Sequence, residues 1–251
     1  MKVANLQASE SGHWYQRDGS PMYTVEAKDG SQRNTTLRDA RKLNLVPSVT
    51  TILKCAASPG LDAWKQNQLL LAVLTLPRGQ TESEDAWLVR VVRDSKETGR
   101  KAADRGTEIH GAIEQFYEGV LIADMMDYQL GVDAKINEHF GELKLKAEKS
   151  FSHELGFGGK VDLQADGVVI DIKTSDFTDP KKVVGYESHL MQLAAYRVGL
   201  GMPEARCANV FVSRVEPGLC HVIEWSAEDL NKGWEMFRSL LNYWQASKSY
   251  K

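Results

Sequence analysis

Two acidic residues and a lysine stand at spacings that could support metal-dependent chemistry. Asp162 and Asp171 flank Asp166-Gly167, a dipeptide that favours a two-residue type I′ hairpin turn because both residues tolerate positive φ. If these two residues form the whole loop, the numbers of paired residues add to 333, and Asp162 faces Asp171 across the hairpin. Lys173 follows on the same face, since side chains alternate along a strand.

Such a pair of carboxylates requires a compensating cation. Like charges that face each other on paired strands are destabilising, and a divalent ion would offset them. Carboxylate oxygens favour Mg²⁺ or Mn²⁺, which keep open positions for water and phosphate oxygens. We therefore predict one or two Mg²⁺ or Mn²⁺ ions as the cofactor. The alternative is an exposed hairpin whose polar face is merely solvated.

The elements around the hairpin must bring further polar groups to this face. Four apolar residues alternate with the acidic ones and are predicted to lie under helices on the opposite face, namely Val161, Leu163, Ile170 and Ile172. Residues 181–200 follow a helical pattern that places His189, Gln192 and Tyr196 on one face. Upstream, His110 lies at the edge of another helical apolar stripe, where a lone histidine is more often structural than a ligand.

Four motifs in this order resemble those of the PD-(D/E)XK nuclease superfamily, and more closely those of its RecB-like branch. In chain order they are Arg105-Gly106-Thr107-Glu108-Ile109-His110, Gly159-Lys160-Val161-Asp162, Asp171-Ile172-Lys173-Thr174, and Gln192 with Tyr196. They match the branch patterns R-G-T-x-x-H, G-x-x-D, D-x-K-T and Q-x-x-x-Y. The element Pro47-Ser48-Val49-Thr50 is similar to one in phage exonucleases that resemble the mitochondrial genome maintenance exonuclease.

The resemblance implies a mixed α/β (α+β) fold with a PD-(D/E)XK restriction-endonuclease-like core. In such a core, helices flank a mixed central sheet. A single nuclease domain would cover residues 1–251. Within it, the hairpin and helices of residues 1–104 would form the path of the DNA, and residues 105–251 would form the catalytic core.

The resemblance also implies roles for individual residues. The catalytic residues would be His110, Asp162, Asp171, Lys173, Gln192 and Tyr196. The metal ligands would be His110, Asp162, Asp171 and the main-chain carbonyl of Ile172. Lys173 would orient or deprotonate the attacking water, or hold a phosphate oxygen. Gln192 would orient Lys173 or the scissile phosphate, and Tyr196 would line the site. Glu148 could support the metal through a water, or could simply be a surface residue of a strand.

The function implied is a metal-dependent DNA exonuclease of bacterial or phage type that hydrolyses phosphodiester bonds from the ends of single-stranded DNA. Recombination or replication proteins are its expected protein partners. One alternative is a nucleic-acid-binding module with a degenerate catalytic site. Another is a structure-specific or CRISPR-adaptation-type endonuclease. Relatives with an iron–sulfur cluster use four cysteines, whereas this chain has only Cys55, Cys207 and Cys220, so we predict no such cluster.

Two further features suggest contacts with DNA. Ser48 stands where a helix N-cap is expected, and Ser48 and Thr50 are candidate phosphate contacts, although an ordinary cap is the alternative. A long helix is predicted from about residue 86, and it carries a basic stripe that leads towards His110. The candidate DNA-binding residues of the stripe are Arg90, Arg93, Arg100 and Arg105. A solvated helix face is the alternative for this stripe.

Length and composition set the outer limits. The chain has 251 residues and 42% apolar content, enough for one well-packed domain. The net charge of −3 does not indicate nucleic-acid binding, but the local potential in a groove matters more than the sum. We find no apolar run long enough to cross a membrane, and residues 1–5 lack an apolar signal core. Three scattered cysteines favour a reducing compartment, so a cytoplasmic location is expected.

Overall fold

The computed structural model describes residues 12–250. The prediction that residues 1–5 lack an apolar signal core lies outside these residues. The strands are β1 Trp14–Tyr15, β2 Thr24–Glu26, β3 Gln32–Asn34, β4 Val46–Pro47, β5 Lys146–His153, β6 Phe157–Ala165, β7 Val168–Ser175, β8 Arg206–Ser213 and β9 Cys220–Trp225. The α-helices are α1 Leu37–Leu43, α2 Val49–Leu53, α3 Pro59–Thr75, α4 Glu84–Ser95, α5 Glu97–Tyr117, α6 Met126–Phe140, α7 Glu187–Gly199 and α8 Ala227–Lys248. Short 3₁₀ turns occupy Ala123–Met125 and Pro180–Lys182.

A five-stranded sheet in the order β5-β6-β7-β8-β9 forms the centre of the molecule. Its neighbours are antiparallel except for β7 and β8, which run parallel. Parallel neighbours need a crossover, and α7 supplies it between these two strands. The predicted mixed α/β fold is therefore confirmed, with a helical N-terminal half and helices flanking a mixed sheet.

The hairpin of β6 and β7 has the predicted register over its first three pairs. Leu163 pairs with Ile170, Gln164 with Val169 and Ala165 with Val168, so the residue numbers of each pair add to 333 as predicted. Gly167 has φ of 71°, as the tight turn requires. The ladder ends there, so the predicted pairing of Asp162 with Asp171 is not formed, and both residues lie one step beyond the last pair.

Two hydrophobic clusters fill the two sides of the sheet. The first joins α7, α8 and α2 to the sheet and includes Phe157 and Val161, while the second joins α5 and α6 to it and includes Leu163 and Ile172. The prediction that Val161 shares a face with Leu163 is therefore wrong. Strand β5 is irregular opposite Asp162. Glu148 has a left-handed φ of 58°, and the pair that it would make with Asp162 is missing from the β5–β6 ladder.

Two predictions for the helical N-terminal half are corrected. The long helix from residue 86 is two helices that meet at Lys96, where the hydroxyl of Ser95 donates to the carbonyl of Val92 and competes with helical hydrogen bonding. The sequence also predicts a helix over residues 61–76 with a buried face of Trp64, Leu69, Leu70, Ala72 and Val73. The helix exists as α3, but of that face only Ala72 is buried. Its apolar residues form a nearly continuous run, so they surround the helix and define no single face.

Other boundaries also shift. The predicted N-terminal hairpin is reduced to a bridge between Tyr15 and Pro21, and β1 pairs mainly with β4. The helix expected from residue 181 begins at Glu187, because the turn capped by Asp179 precedes it. None of the helices within residues 12–250 is long and apolar enough to cross a bilayer.

Candidate functional site

Asp162 lies at an interruption of the central sheet. Its Oδ2 accepts a hydrogen bond from the main-chain N–H of Ile172 at 2.7 Å. A side-chain carboxylate thus occupies the position beyond the last pair of the β6–β7 ladder. On its other side, the left-handed backbone of Glu148 interrupts the β5–β6 ladder. Left-handed backbone in a residue other than glycine is uncommon and often marks functional positions, so this interruption is a candidate site.

His110 reaches Asp162 because α5 packs very close to β7. A Cβ at Gly106 would lie 2.7 Å from the Oγ1 of Thr174, so only glycine allows this approach. One helical turn later, the Nδ1 of His110 lies 3.8 Å from the Oδ2 of Asp162. The glycine of the R-G-T-x-x-H motif therefore has a packing role that positions its histidine.

A small cavity lies between α5 and the interrupted strands. Its lining residues are His110, Ile113, Glu114, Glu148, Asp162, Leu163 and Ile172. The cavity has a volume of about 10 Å³, close to the minimum that holds one water molecule. The carboxylate of Glu148 also contacts the ammonium group of Lys160. Glu148 and Glu114 therefore join His110 and Asp162 around one small polar space.

Asp171 faces a different set of partners. Its side chain is buried, and its Oδ2 forms an ion pair with the Nζ of Lys173 and accepts a hydrogen bond from the Nδ2 of Asn209, each at 2.7 Å. The Oδ1 of Asn209 accepts from the indole Nε1 of Trp225 at 2.8 Å. Because an indole can only donate, it fixes the orientation of this amide and directs the Nδ2 to Asp171.

Asn209 was missed by the sequence reasoning. It is fully buried in the central strand β8, within an otherwise apolar run. A polar residue inside such a run would have been the signal, because buried polar groups need hydrogen-bond partners.

Lys173 connects the strand to α7. Its Nζ donates to the Oε1 of Gln192 at 2.9 Å, and the Nε2 of Gln192 donates to the Oη of Tyr196 at the same distance. Gly159 makes room for this tyrosine, since a Cβ there would lie 2.8 Å from its ring. The structure thus brings Asp171, Lys173, Gln192 and Tyr196 together in one hydrogen-bonded chain.

The electrostatics of the two carboxylates differ. The pKa of Asp162 is raised, first by burial and then by the negative charge of Asp171, while His110, Lys173 and the N–H of Ile172 oppose the rise. The raised pKa means that burial and the neighbouring Asp171 together disfavour the ionised carboxylate. Burial likewise raises the pKa of Tyr196 well above its ordinary value, so the phenol is neutral.

The donor types therefore suit a hard divalent ion, although the predicted ligand set is not gathered in one place. Within residues 12–250, no three His, Cys, Asp or Glu side chains form a metal-binding group. Asp162 faces His110, whereas Asp171 faces Lys173 and Asn209. The carboxylates, the imidazole and the raised pKa of Asp162 fit Mg²⁺ or Mn²⁺ chemically. The ligand set of His110, Asp162, Asp171 and the Ile172 carbonyl stays a prediction.

The predicted phosphate contacts of the P-S-V-T element divide into two cases. Ser48 is the N-cap of α2, and its Oγ accepts from the N–H of Thr51 at 3.0 Å. It is only 2% exposed, because it forms a bridge with Gly158 of β6. Ser48 therefore caps α2, and its role as a phosphate contact stays a prediction. Thr50 is exposed on the first turn of α2.

The basic stripe is largely paired with acids close by in the sequence. Arg90 binds Glu82 through two nitrogens, and Arg105 binds Glu108 and stacks on Tyr128. Arg100 is held by Glu97 and Asp104, while Arg93 forms no salt bridge within the described part of the chain. These pairs agree with the alternative of a solvated helix face, and the DNA-binding role of the stripe stays a prediction.

No protein-family model matches the chain, and no curated protein matches it in sequence. Among solved structures, the chain is similar to a candidate exonuclease from Eubacterium rectale, with a TM-score of 0.42 and 14% identity over 58% of this chain and 68% of that one. It is also similar to an alkaline exonuclease from Laribacter hongkongensis, with a TM-score of 0.35 and 15% identity over 75% of this chain and 98% of that one. Both likenesses are distant.

Proposed function

We propose that the protein is a metal-dependent DNA exonuclease that hydrolyses phosphodiester bonds from the ends of single-stranded DNA. One observation carries the proposal: the ammonium group of Lys173 is held between Asp171 and Gln192, at the point where β6 and β7 separate and Asp162 meets His110. The four sequence motifs that resemble RecB-like nucleases converge on this point. The preference for ends and for single strands comes from the same resemblance.

Phosphodiester hydrolysis needs an activated water and stabilisation of the charge that develops on the phosphoryl group. The residues that would hold Mg²⁺ or Mn²⁺ are His110, Asp162, Asp171 and the carbonyl of Ile172. The chemistry supplied by such an ion is Lewis acidity, which makes water more acidic and polarises phosphoryl oxygens.

The side chains themselves divide the remaining work. Lys173 holds a non-bridging phosphate oxygen or orients the water, because its ammonium group is the positive charge nearest to Asp171. An ammonium group can only donate, so it selects the Oε1 of Gln192 and turns the amide Nε2 towards the neutral phenol of Tyr196. Gln192 and Tyr196 therefore position Lys173 without adding charge.

A cleavage assay with labelled strands tests the proposal. Linear and circular single strands and a duplex are incubated with the wild type in Mg²⁺, Mn²⁺ or EDTA. We expect degradation of linear single strands only when metal is present. Lys173→Ala should slow cleavage at least about a hundredfold with an unchanged circular dichroism spectrum, while Lys232→Ala, an exposed lysine on α8, serves as the matched control. An undiminished rate for Lys173→Ala would refute the assignment, and equal degradation of circles would refute the requirement for an end.

A second candidate is a nucleic-acid-binding module with a degenerate site. The observation in its favour is that Asp171 is already satisfied by Lys173 and Asn209, and no three-residue metal group exists within residues 12–250. Calorimetric titration with Mn²⁺ separates the two candidates. Heat of binding that disappears in Asp162→Asn supports the nuclease, whereas strand binding with neither Mn²⁺ binding nor cleavage supports the module.

A further inference from the structure

A large cavity opens beside Lys173, at the carboxyl end of β7. Its walls are the end of β7, the segment of residues 176–184, the first turn of α7 and Phe211 of β8. The cavity has a volume of about 510 Å³, within the range of roughly 300–1,000 Å³ that small-ligand pockets occupy. None of the predicted site residues except Lys173 lines it, so the roles discussed above leave this space unexplained.

Aromatic rings dominate one wall of this cavity. The ring of His189 lies 5.2 Å from that of Tyr186 and 5.6 Å from that of Phe211, measured between centroids. Tyr186 keeps 62% of its surface exposed. Phe177 lies on the same lining. Such an open aromatic surface can stack against another flat ring.

The histidine on this wall is neutral. Burial, followed by the positive charge of Lys173, lowers the pKa of His189 to about 4. Its Nδ1 accepts a hydrogen bond from the main-chain N–H of Tyr186 at 3.4 Å, which places the ring proton on Nε2. The wall therefore offers a flat, uncharged surface.

The charged groups that line the cavity are two lysines and two acids. Asp176 is bound by the guanidinium of Arg214 at 2.8 Å, and the Oδ1 of Asp179 accepts from the N–H of Lys181 at 3.0 Å. The guanidinium of Arg214 offsets the charge of Asp176, whereas the main-chain contact leaves Asp179 negatively charged. Lys182 is exposed and forms no salt bridge within residues 12–250. With Lys173 at the inner end, positive charge flanks the aromatic wall.

We propose that this cavity binds the unpaired nucleotide next to the scissile phosphate, with its base stacked on the wall formed by Tyr186 and His189. Its phosphates lie towards Lys173 and Lys182. Stacking on aromatic side chains beside a cationic groove is the general mode of single-strand binding, and it tolerates every base. A paired base cannot enter, because it must first leave its duplex. The inference rests on the proposed function and specifies its substrate as an unpaired end.

A fluorescence experiment in EDTA tests the pocket without cleavage. Single strands carry 2-aminopurine at each of the first three positions from either end, and stacking of this base on the protein changes its emission. We expect the wild type to change the emission at one of these positions. Tyr186→Leu should abolish that change and weaken binding roughly tenfold, and Tyr186→Phe should restore both, because the ring and not the hydroxyl stacks. Tyr243→Leu is the matched control, since Tyr243 is 63% exposed on α8.

Cleavage of strands with an abasic residue at the same positions provides a second readout. If Tyr186 stacks on the missing base, the loss from Tyr186→Leu and the loss from the abasic residue are not additive at that position. If the strands are cleaved and the losses from Tyr186→Leu and from the abasic residue are additive at all positions, the pocket is overturned and the proposed function stands. A Tyr186-dependent emission change without any metal-dependent cleavage would overturn the proposed function and leave the pocket intact. The pocket would also be overturned if Tyr186→Leu and the wild type changed the 2-aminopurine emission equally at every position.

Discussion

The two halves of the candidate site differ in how their polar groups are satisfied. The α7 half consists of Asp171, Lys173, Gln192, Tyr196 and Asn209, and the α5 half consists of His110, Glu148 and Asp162. In the α7 half every one of these side chains has a hydrogen-bond partner within 3 Å. In the α5 half the carboxylate of Asp162 accepts one main-chain hydrogen bond. The Nδ1 of His110 lies 3.8 Å from the Oδ2 of Asp162, which is too far for a hydrogen bond.

The difference indicates a division of labour. A fully hydrogen-bonded buried network is rigid, so the α7 half can hold an ammonium group in one place. The α5 half instead has a left-handed backbone at Glu148, an under-compensated carboxylate at Asp162 and a small polar cavity. Polar groups that lack partners in the folded chain are available to a ligand. We therefore expect substitutions in the two halves to change stability in opposite directions.

The largest effect is expected from Asp171→Asn. The substitution removes the ion pair with Lys173, whose side chain is only 24% exposed. Breaking one partner of a buried pair costs about 3 kcal/mol or more of unfolding free energy. Urea denaturation in EDTA measures this loss. A variant as stable as the wild type would show that the α7 half is not a stabilising network.

The next effect concerns the approach of α5 to the sheet. In Gly106→Ala the new Cβ meets the Oγ1 of Thr174 at 2.7 Å, and relieving that overlap should cost about 2 kcal/mol and displace His110. Gly111→Ala on the same helix meets no atom within 4 Å and should stabilise the protein by about 0.5–1 kcal/mol.

Removing the clashing atom provides an internal check on this pair. The double variant Gly106→Ala/Thr174→Ala should regain most of the lost stability, since the next atom of Thr174 lies at 3.9 Å. Thermal denaturation of the four proteins compares them directly. Equal losses in Gly106→Ala and Gly111→Ala would indicate a general effect of alanine on α5 and not a close approach.

A smaller effect of opposite sign is expected from Asp162→Asn. The folded protein binds the proton of Asp162 more tightly than the unfolded chain, so this residue lowers stability as the pH rises through its raised pKa. The neutral amide avoids that loss and still accepts from Ile172. In EDTA at neutral pH we expect a melting temperature about 2–4 °C higher, the shift that about 1 kcal/mol produces in a domain of this size.

The pH dependence decides whether this gain has the stated cause. The gain should disappear below about pH 4, where the wild-type carboxyl is protonated in both the folded and the unfolded state. Any stabilisation by Mn²⁺ should be absent in the variant. A gain that persists unchanged in acid would point to a cause other than the ionisation of Asp162.

The smallest effect concerns the basic stripe that leads to the α5 half. Arg100 is held by Glu97 and Asp104, so Arg100→Gln should leave the salt dependence of single-strand binding unchanged. If Arg93 contacts a phosphate, Arg93→Gln should reduce the slope of log K against log salt by about 0.7. Fluorescence anisotropy between low and moderate salt measures both. A reduced slope for Arg100→Gln would show that its ion pairs open on binding.

Local backbone preferences made much of the fold predictable. The turn at Gly167, the register up to Leu163 and Ile170, and the N-cap at Ser48 depend on residues close together in the chain. The apolar face of α8 was also predictable, because its buried residues recur at three- and four-residue steps.

Where sequence reasoning failed, a distant contact decided the outcome. The apolar residues of α3 surround the helix, and they stay largely exposed because other helices form both core clusters on the sheet. Asn209 is 38 residues from Asp171, and only the parallel pairing of β7 with β8 brings the two together.

The sequence by itself determined the tight turn and the register of the three pairs next to it, because a dipeptide that tolerates positive φ leaves little choice of register. Only the tertiary structure decided that the aspartates would turn to different partners. One meets a histidine delivered by a closely packed helix, and the other meets a lysine and a buried amide. The reason is that strand pairing sets where a side chain begins, while the helices and strands packed around it decide which charges and donors it finds.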